Sequence, residues 1–460
     1  MSRLDTIFKA YDVRGTVPDQ LDAGICRAIG WAFARFTGAD RLLVARDMRA
    51  SGEALAGAFV EGARAAGAGV VDLGLASTDL MYFASGRLDM PGAMFTASHN
   101  PAGYNGIKLC LSGARPVGRD TGLADIKAAA DEVLGGTVSP GPSTGAYERR
   151  DMLEEYATHV RSFVDVSSLR PLTVVADTAN GMGGLVVPAV FSALPFTLEI
   201  LFPELDGTFP NHPADPIQPE NLVDLKKAVT RTGADIGLAF DGDADRVFLV
   251  DERAEPVSGS LTTALVAAAM LESDPGATVL YNLICSKVVP ETILEHGGKP
   301  VRTRVGHSFI KQVMAETGAV FGGEHSGHYY FRENYRADSG IIAAMVVLGV
   351  LSRAGKPLSE LLEPYRRYAD SGEINTVVVD PPAAVEALAA KLEAEGVVVD
   401  RTDGLTVDHG DWWFNLRPSN TEPLLRLNVE AADEASCRQR VDEVLGLVRD
   451  LGAHAAPAEA

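Results

Sequence analysis

Short apolar runs alternate along most of the chain with longer segments whose apolar positions recur at the helical period. Residues 42–44 read as a buried strand, 53–66 as an amphipathic helix closed by Gly67, and 70–71 and 92–95 as further strands. The rhythm returns with strand 172–176, a tight turn at 180–184 into a helix, and strands 235–240 and 247–250. It returns again with helix 261–272, strand 278–281, helix 288–296, a strand near Val301, helix 308–317 and strand 319–321. Such alternation predicts α/β units in which helices cover sheets containing parallel strands. Recurrence about every hundred residues points to an internal structural repeat, although no sequence self-similarity accompanies it. From Ser371 the texture changes. Strands 373–379, 405–408, 412–416 and 425–429, with helices 383–395 and 433–450, predict a small α+β domain.

Length agrees with this division, since 460 residues at ~150 per domain give about three or four domains. We place them at 1–148, 149–252, 253–369 and 370–460, with the Gly-, Ser- and Pro-rich stretch 135–145 as a linker. A hydrophobic fraction of 46% and 46 glycines suit a globular α/β enzyme. The formal net charge of −21 argues against nucleic acid or an anionic membrane as partner, and an anionic substrate would need a locally positive pocket. Cys26, Cys110, Cys285 and Cys437 are scattered without metal-binding spacing and read as reduced thiols. Met1-Ser2-Arg3-Leu4-Asp5 opens no apolar signal region, and the longest apolar run, 341–351, is shorter than the ~20 residues of a membrane span. The expectation is a cytoplasmic protein.

Four polar loops carry candidate chemistry. In Thr96-Ala97-Ser98-His99-Asn100-Pro101 a buried strand delivers Ser98 to a sharp turn, with His99 beside it and Lys108 further on. Ser98 is either a turn-forming hydroxyl or a nucleophile. Asp241, Asp243 and Asp245 alternate with small residues before Arg246, so they form either a solvated acidic turn or a convergence of three carboxylates that calls for a hard cation such as Mg²⁺. Glu252 stands at the twelfth position of an EF-hand counted from Asp241. However, Arg246 replaces the needed glycine at the sixth, and an apolar strand follows. Gly322 to His328 offers Glu324, Ser326 and two histidines, equipment for gripping sugar hydroxyls; a third zinc ligand at fixed spacing is not apparent. Arg417-Pro418-Ser419-Asn420-Thr421 is either a polar hairpin turn or, with its guanidinium, hydroxyls and amide, the inventory for a phosphate dianion. Lys287 and His307 add polar groups at strand ends. Tyr11 and Arg14 are either an N-terminal hairpin pair or contacts of a substrate. The glycine turn 180–184 could present amides to a phosphate but reads better as close helix–strand packing.

Together these loops spell phosphoryl transfer on a sugar phosphate, and with them the chain resembles the α-D-phosphohexomutase superfamily, most of all its bacterial phosphomannomutases. The resemblance spans nearly the whole chain. It implies three similar α/β domains with mixed sheets and a smaller C-terminal α+β domain around a central cleft. It also implies phosphorylation of Ser98, one Mg²⁺ held by Asp241, Asp243, Asp245 and the serine phosphate, and a phosphate grip by Arg417, Ser419, Asn420 and Thr421. Glu324 and Ser326 would hold the sugar's O3 and O4. Arg14, His99, Lys108, Arg246, Lys287, His307 and His328 would line the cleft as cations or proton carriers. Which of Lys108, His99, Arg14 and His328 takes the hydroxyl proton stays open. The implied reaction interconverts mannose 6-phosphate and mannose 1-phosphate, with a hexose 1,6-bisphosphate as intermediate and activator. A phosphoglucomutase or dual-specificity enzyme is the near alternative. A Mg²⁺-dependent sugar phosphatase and a non-catalytic sugar-phosphate binder are the distant ones.

Overall fold

The computed structural model describes residues 2–419, 424–450 and 456–457. Three of its four sheets share one wiring. In the first, Arg41–Arg46 runs parallel to Gly69–Leu75 on one side and Gly92–Phe95 on the other, and Tyr104–Leu111 pairs antiparallel with Gly92–Phe95. Leu172–Asp177, Phe196–Leu201, Ile236–Phe240 and Val247–Asp251 repeat the pattern. So do Thr278–Asn282, Lys299–Thr303, Phe321–Gly323 and Tyr329–Phe331. The expected repeat therefore exists in topology, where unrelated side chains satisfy the same pattern of buried strands. The antiparallel fourth strand makes each sheet mixed.

That fourth strand decides where function can sit. Parallel neighbours need a long crossover, whereas an antiparallel pair can be closed by a short turn. Each third strand thus ends in a tight loop at the carboxyl edge of its parallel strands, where open α/β sheets present ligand-binding groups. The three loops are 96–103, 241–246 and 324–328. The fourth unit is an antiparallel sheet built on Leu405–Asp408, Trp412–Pro418, Leu424–Ala431 and Ile374–Val377, and the strand pair Trp412–Pro418/Leu424–Ala431 carries the Arg417 loop.

The cores follow the sequence pattern. Gly340–Ala354, capped by the Ser339 hydroxyl, is buried on nearly every side, which explains its all-round apolar character. Among the described residues no single helix is long and apolar enough to cross a membrane. One apolar cluster joins the second and third units to part of the first. The fourth unit has its own core under Trp412, Phe414 and Leu388. Asp79 ties the first three units together by accepting hydrogen bonds from Ser77, Tyr156 and Ser339, and its burial pushes the carboxyl up to about 7.

Several strands were not anticipated from the sequence: Val13–Thr16, Tyr104–Leu111, Phe196–Leu201 and Tyr329–Phe331, and one edge strand that shows no period at all. Just after the stretch expected as a linker, Tyr147–Arg149 extends the first sheet beside Gly69–Leu75. All three of its residues are exposed, so no apolar alternation marks it.

Candidate active site

Ser98 sits where strand Gly92–Phe95 ends, in a left-handed conformation (φ +50°) that turns its side chain into the centre of the molecule. The turn is held by a residue the motif reading did not single out. Arg49 is fully buried beside Asp47 and donates to the carbonyls of Ser98 (2.8 Å), Asn100 (2.6 Å), Pro101 (2.8 Å) and Tyr104 (3.0 Å). Burial pushes the Asp47 carboxyl up to about 6, with Arg49 opposing the rise. The pair directly follows strand Arg41–Arg46, so the signal was its place at a carboxyl strand end, with nothing in the residue types to flag it.

The aspartate loop closes onto this turn. Ser98 Oγ donates to Asp241 Oδ2 at 2.7 Å, Arg246 Nη2 donates to Ser98 Oγ at 3.1 Å, and His99 Nδ1 lies 3.2 Å from the same oxygen. Gly242 permits the approach, since a Cβ there would lie 2.4 Å from the Ser98 carbonyl oxygen. The 180–184 turn serves packing, as the sequence suggested: Met182 N–H donates to the Gly242 carbonyl at 2.8 Å and steadies the aspartate loop from behind.

Asp241, Asp243 and Asp245 are buried, with one ligating oxygen of each lying within 4.8 Å of the others. Lys108 Nζ pairs with Asp243 Oδ2 at 2.8 Å and Asp245 Oδ2 at 2.6 Å, and Thr78, also missed from the sequence, donates to Asp243 at 2.6 Å. Arg246 Nε donates to Asp241 at 3.0 Å. Asp243 Oδ1 and Asp245 Oδ1 nevertheless stay buried without a hydrogen-bond partner. Buried carboxylate oxygens are rarely left so, and an oxygen-seeking cation would satisfy them. The residues present fit a metal centre.

The local field sorts the proton-transfer candidates. Burial works against the Lys108 charge, but Asp243 and Asp245 outweigh it and hold the ammonium well above its usual range. The Arg246 guanidinium, then burial and Arg14, hold His99 well below its own, so its imidazole is neutral. Burial also pushes Asp241 well up against Arg246, whereas Lys108 overcomes burial at Asp243 and holds it well below the carboxylate range. Arg14 pairs with Asp12 and donates to Asn100 Oδ1 at 2.6 Å, on the first loop.

His328 joins the third loop to this centre. Its Nε2 lies 3.7 Å from Asp245 Oδ1 and its Nδ1 3.6 Å from Glu324 Oε2, and its backbone bridges to Arg246. Ser326 Oγ is 3.2 Å from the same Nδ1. Glu324 is buried and engaged with Asn282 Nδ2 (3.1 Å), Gly306 N–H (3.2 Å) and Tyr330 OH (2.7 Å). Tyr11 leans edge-on against Phe309 beside residues 305–306 of the third unit. Arg417 pairs with Glu373 at 3.0 Å in its own unit. Ser419 N–H donates to the Leu424 carbonyl at 2.8 Å. Asn420 and Thr421 lie outside the described residues, as does the side chain of His307.

Lys287 is the residue this geometry does not bring in. Its ammonium is held by Asp408 (2.7 Å) and the Gly410 carbonyl (2.6 Å), and its N–H by Glu430, so it joins the third unit to the fourth. A strand-end lysine facing an acidic neighbouring unit takes the nearer carboxylate.

Among family models, the chain matches phosphoglucomutase/phosphomannomutase alpha/beta/alpha domain I over residues 5–133, domain II over 154–255, domain III over 258–368 and the C-terminal domain over 373–447. The chain belongs to the phosphoglucomutase/phosphomannomutase family. It is an enzyme, a phosphohexomutase of the isomerase class. A relative from Xanthomonas campestris pv. campestris described as "Phosphohexose mutases" is 42% identical over 445 residues, 96% of this chain and 99% of its own. A phosphomannomutase of Escherichia coli is 38% identical over 93% of this chain and 95% of its own. The crystal structure of a phosphoglucomutase/phosphomannomutase family protein from Burkholderia thailandensis superposes with a TM-score of 0.90 at 33% identity, covering 100% of both chains.

Proposed function

We propose that this phosphohexomutase interconverts mannose 6-phosphate and mannose 1-phosphate, with Ser98 carrying the phosphoryl group. The observation that carries the reading is the position of Ser98 Oγ, within hydrogen-bond reach of both Asp241 and Arg246. Phosphorylated Ser98 loses its Oγ–P bond as a sugar hydroxyl oxygen gains one, giving a hexose 1,6-bisphosphate; the second half reverses this with the other phosphate. Asp241, Asp243 and Asp245 would hold Mg²⁺, which neutralises charge on the phosphoryl oxygens when bound. Arg246 reaches the Ser98 oxygen and stabilises it as leaving group, and Lys108 holds Asp243 and Asp245 in place and keeps Asp243 ionised. His328 is the best-placed proton carrier, because Lys108 is locked as a cation, Arg14 is a guanidinium and His99 abuts Arg246. Glu324 and Ser326 would take sugar hydroxyls, and Arg417 with Ser419, Asn420 and Thr421 the phosphate that does not react.

The broad description of the Xanthomonas relative favours a second reading, dual activity on mannose and glucose phosphates. Phosphorus NMR with mannose 1-phosphate or glucose 1-phosphate, Mg²⁺ and a trace of hexose 1,6-bisphosphate tests both. Conversion to the 6-phosphates without inorganic phosphate is expected, together with the mass of one phosphoryl group on the intact chain. Steady release of phosphate would make it a phosphatase, and an enzyme that never carries phosphate on Ser98 would refute the carrier role.

A further inference from the structure

Beside the candidate phosphate grip, a cavity of about 740 Å³ opens where the first, third and fourth units meet. It is lined by none of Ser98, Lys108, Asp241, Asp243, Asp245 or Arg246, and among the described residues it meets the proposed site through Tyr11, Gly306 and Arg417. We propose that it is a second anion site, built for a small molecule that presents two linked phosphoryl groups.

Charge carries the argument. Arg115, Arg119, Arg304 and Arg336 all line the cavity, and none has a carboxylate ion-pair partner among the described residues. In a chain of net charge −21, where arginines such as Arg27, Arg231 and Arg367 are held by glutamates, four unneutralised guanidiniums around one hollow are a local reversal of the molecule's field. Such a reversal concentrates anions, and the planar fork of arginine matches phosphate oxygens two at a time. Two carboxylates, Asp120 and Asp403, also face the cavity, and the latter already accepts from the Val305 N–H at 3.2 Å. Helix His307–Thr317 begins at the cavity wall without a side-chain cap, so its positive end faces the same space.

Size and shape narrow the ligand. The volume lies within the few-hundred to ~1,000 Å³ range of sites that enclose a whole small molecule. Tyr11, Phe309 and Tyr335 supply aromatic surface, and the Arg304 guanidinium already lies 4.4 Å over the Phe309 ring. Arg336 is presented at φ +63°, a conformation non-glycine residues rarely adopt. A paired phosphoryl group is the shared chemistry, and it could come from pyrophosphate alone or from a nucleoside diphosphate whose base lies on the aromatic wall.

The site goes beyond the phosphomutase reading and only borders its phosphate grip, at Tyr11 and Arg417. The test is titration calorimetry of the full chain in Mg²⁺-free buffer, with inorganic pyrophosphate and separately with ADP. It compares wild type, Arg119→Ala/Arg336→Ala and Ser98→Ala. At least one probe should bind wild type and Ser98→Ala alike and bind the double variant roughly tenfold or more weakly, the scale of lost charged hydrogen bonds. The KM of the double variant for hexose phosphate should stay within about twofold of wild type, since neither arginine belongs to the proposed machinery. Tighter binding of ADP would assign the ring to the aromatic wall, and equal binding would leave the phosphoryl pair as the whole ligand. The proposal is overturned if neither probe binds at millimolar concentration, or if the double variant keeps wild-type affinity. A hexose phosphate KM that rises in step with the probe constants also overturns it, because the cavity is then part of the catalytic cleft. Both arginines are at least partly exposed, so the variant should fold, and single Arg119→Gln and Arg336→Gln changes give the same reading if it does not.

Discussion

The two halves of the cleft are built on opposite terms. On the serine–metal side, groups from different units are bonded directly to one another: Ser98 to Asp241, Lys108 to Asp243 and Asp245, Thr78 to Asp243. On the recognition side the expected groups are largely satisfied within their own units, Glu324 by Asn282, Gly306 and Tyr330, and Arg417 by Glu373. The difference follows from what each half must do. Charge that stabilises a transition state acts best when fixed beforehand, so its cost is met in folding. Groups that must grip and release two isomers in turn can trade internal hydrogen bonds for those of a ligand at small net cost.

The largest effect that would break this comparison is at Ser98. Ser98→Ala should cut turnover by roughly four to six orders of magnitude, the scale of losing a nucleophile. It should change stability by no more than about 3 kcal/mol, because the two charged partners of the lost hydroxyl, Asp241 and Arg246, remain bonded to each other. A coupled assay and a urea melt read both. Residual turnover within about a hundredfold of wild type would move the reacting centre elsewhere.

Next comes Lys108→Met, which strands Asp243 and Asp245 without their shared cation. Removing one partner of a buried charge group should cost about 3–5 kcal/mol in metal-free buffer, measured by urea unfolding. A loss below about 1 kcal/mol would mean the serine–metal side is not prebuilt.

Arg417→Ala sharpens the contrast from the other side. It should lower kcat/KM by roughly ten- to a hundredfold, equally for mannose 1-phosphate and glucose 1-phosphate, while leaving the urea midpoint nearly unchanged. A penalty more than about tenfold larger for one epimer would show that the anchor is not shared between substrates.

The smallest effect is expected at Lys287. Its ion pair with the largely exposed Asp408 joins two units at the surface, so Lys287→Ala should cost about 0–1 kcal/mol and leave KM within about twofold. A large rise in KM would return Lys287 to the cleft.

What could be read from the sequence was whatever lies in contiguous residues. Each loop motif packs its chemistry into a few positions behind an apolar run, so Ser98, the three aspartates, Glu324 and Arg417 could be singled out before any contact was known. The α/β alternation and the change of texture near Ser371 were equally legible, because burial imprints its period on the chain. Tyr147–Arg149 escaped for the converse reason, being an exposed edge strand with no period to show.

Tertiary structure alone decided which groups meet. Ser98 and Asp241 are 143 positions apart, and Lys108 and Asp245 are 137 apart, so no local pattern could foretell their bonds. Arg49 became the clamp of the serine loop because a parallel neighbouring strand ends beside it, and Lys287 went to Asp408 because the fourth unit docks there. The four cavity arginines without an ion-pair partner among the described residues come from two units and share no motif. Sequence sets the chemistry each loop can offer, because that depends on side chains in a row. Whether two such groups act together depends on distance, and only the folded chain sets that.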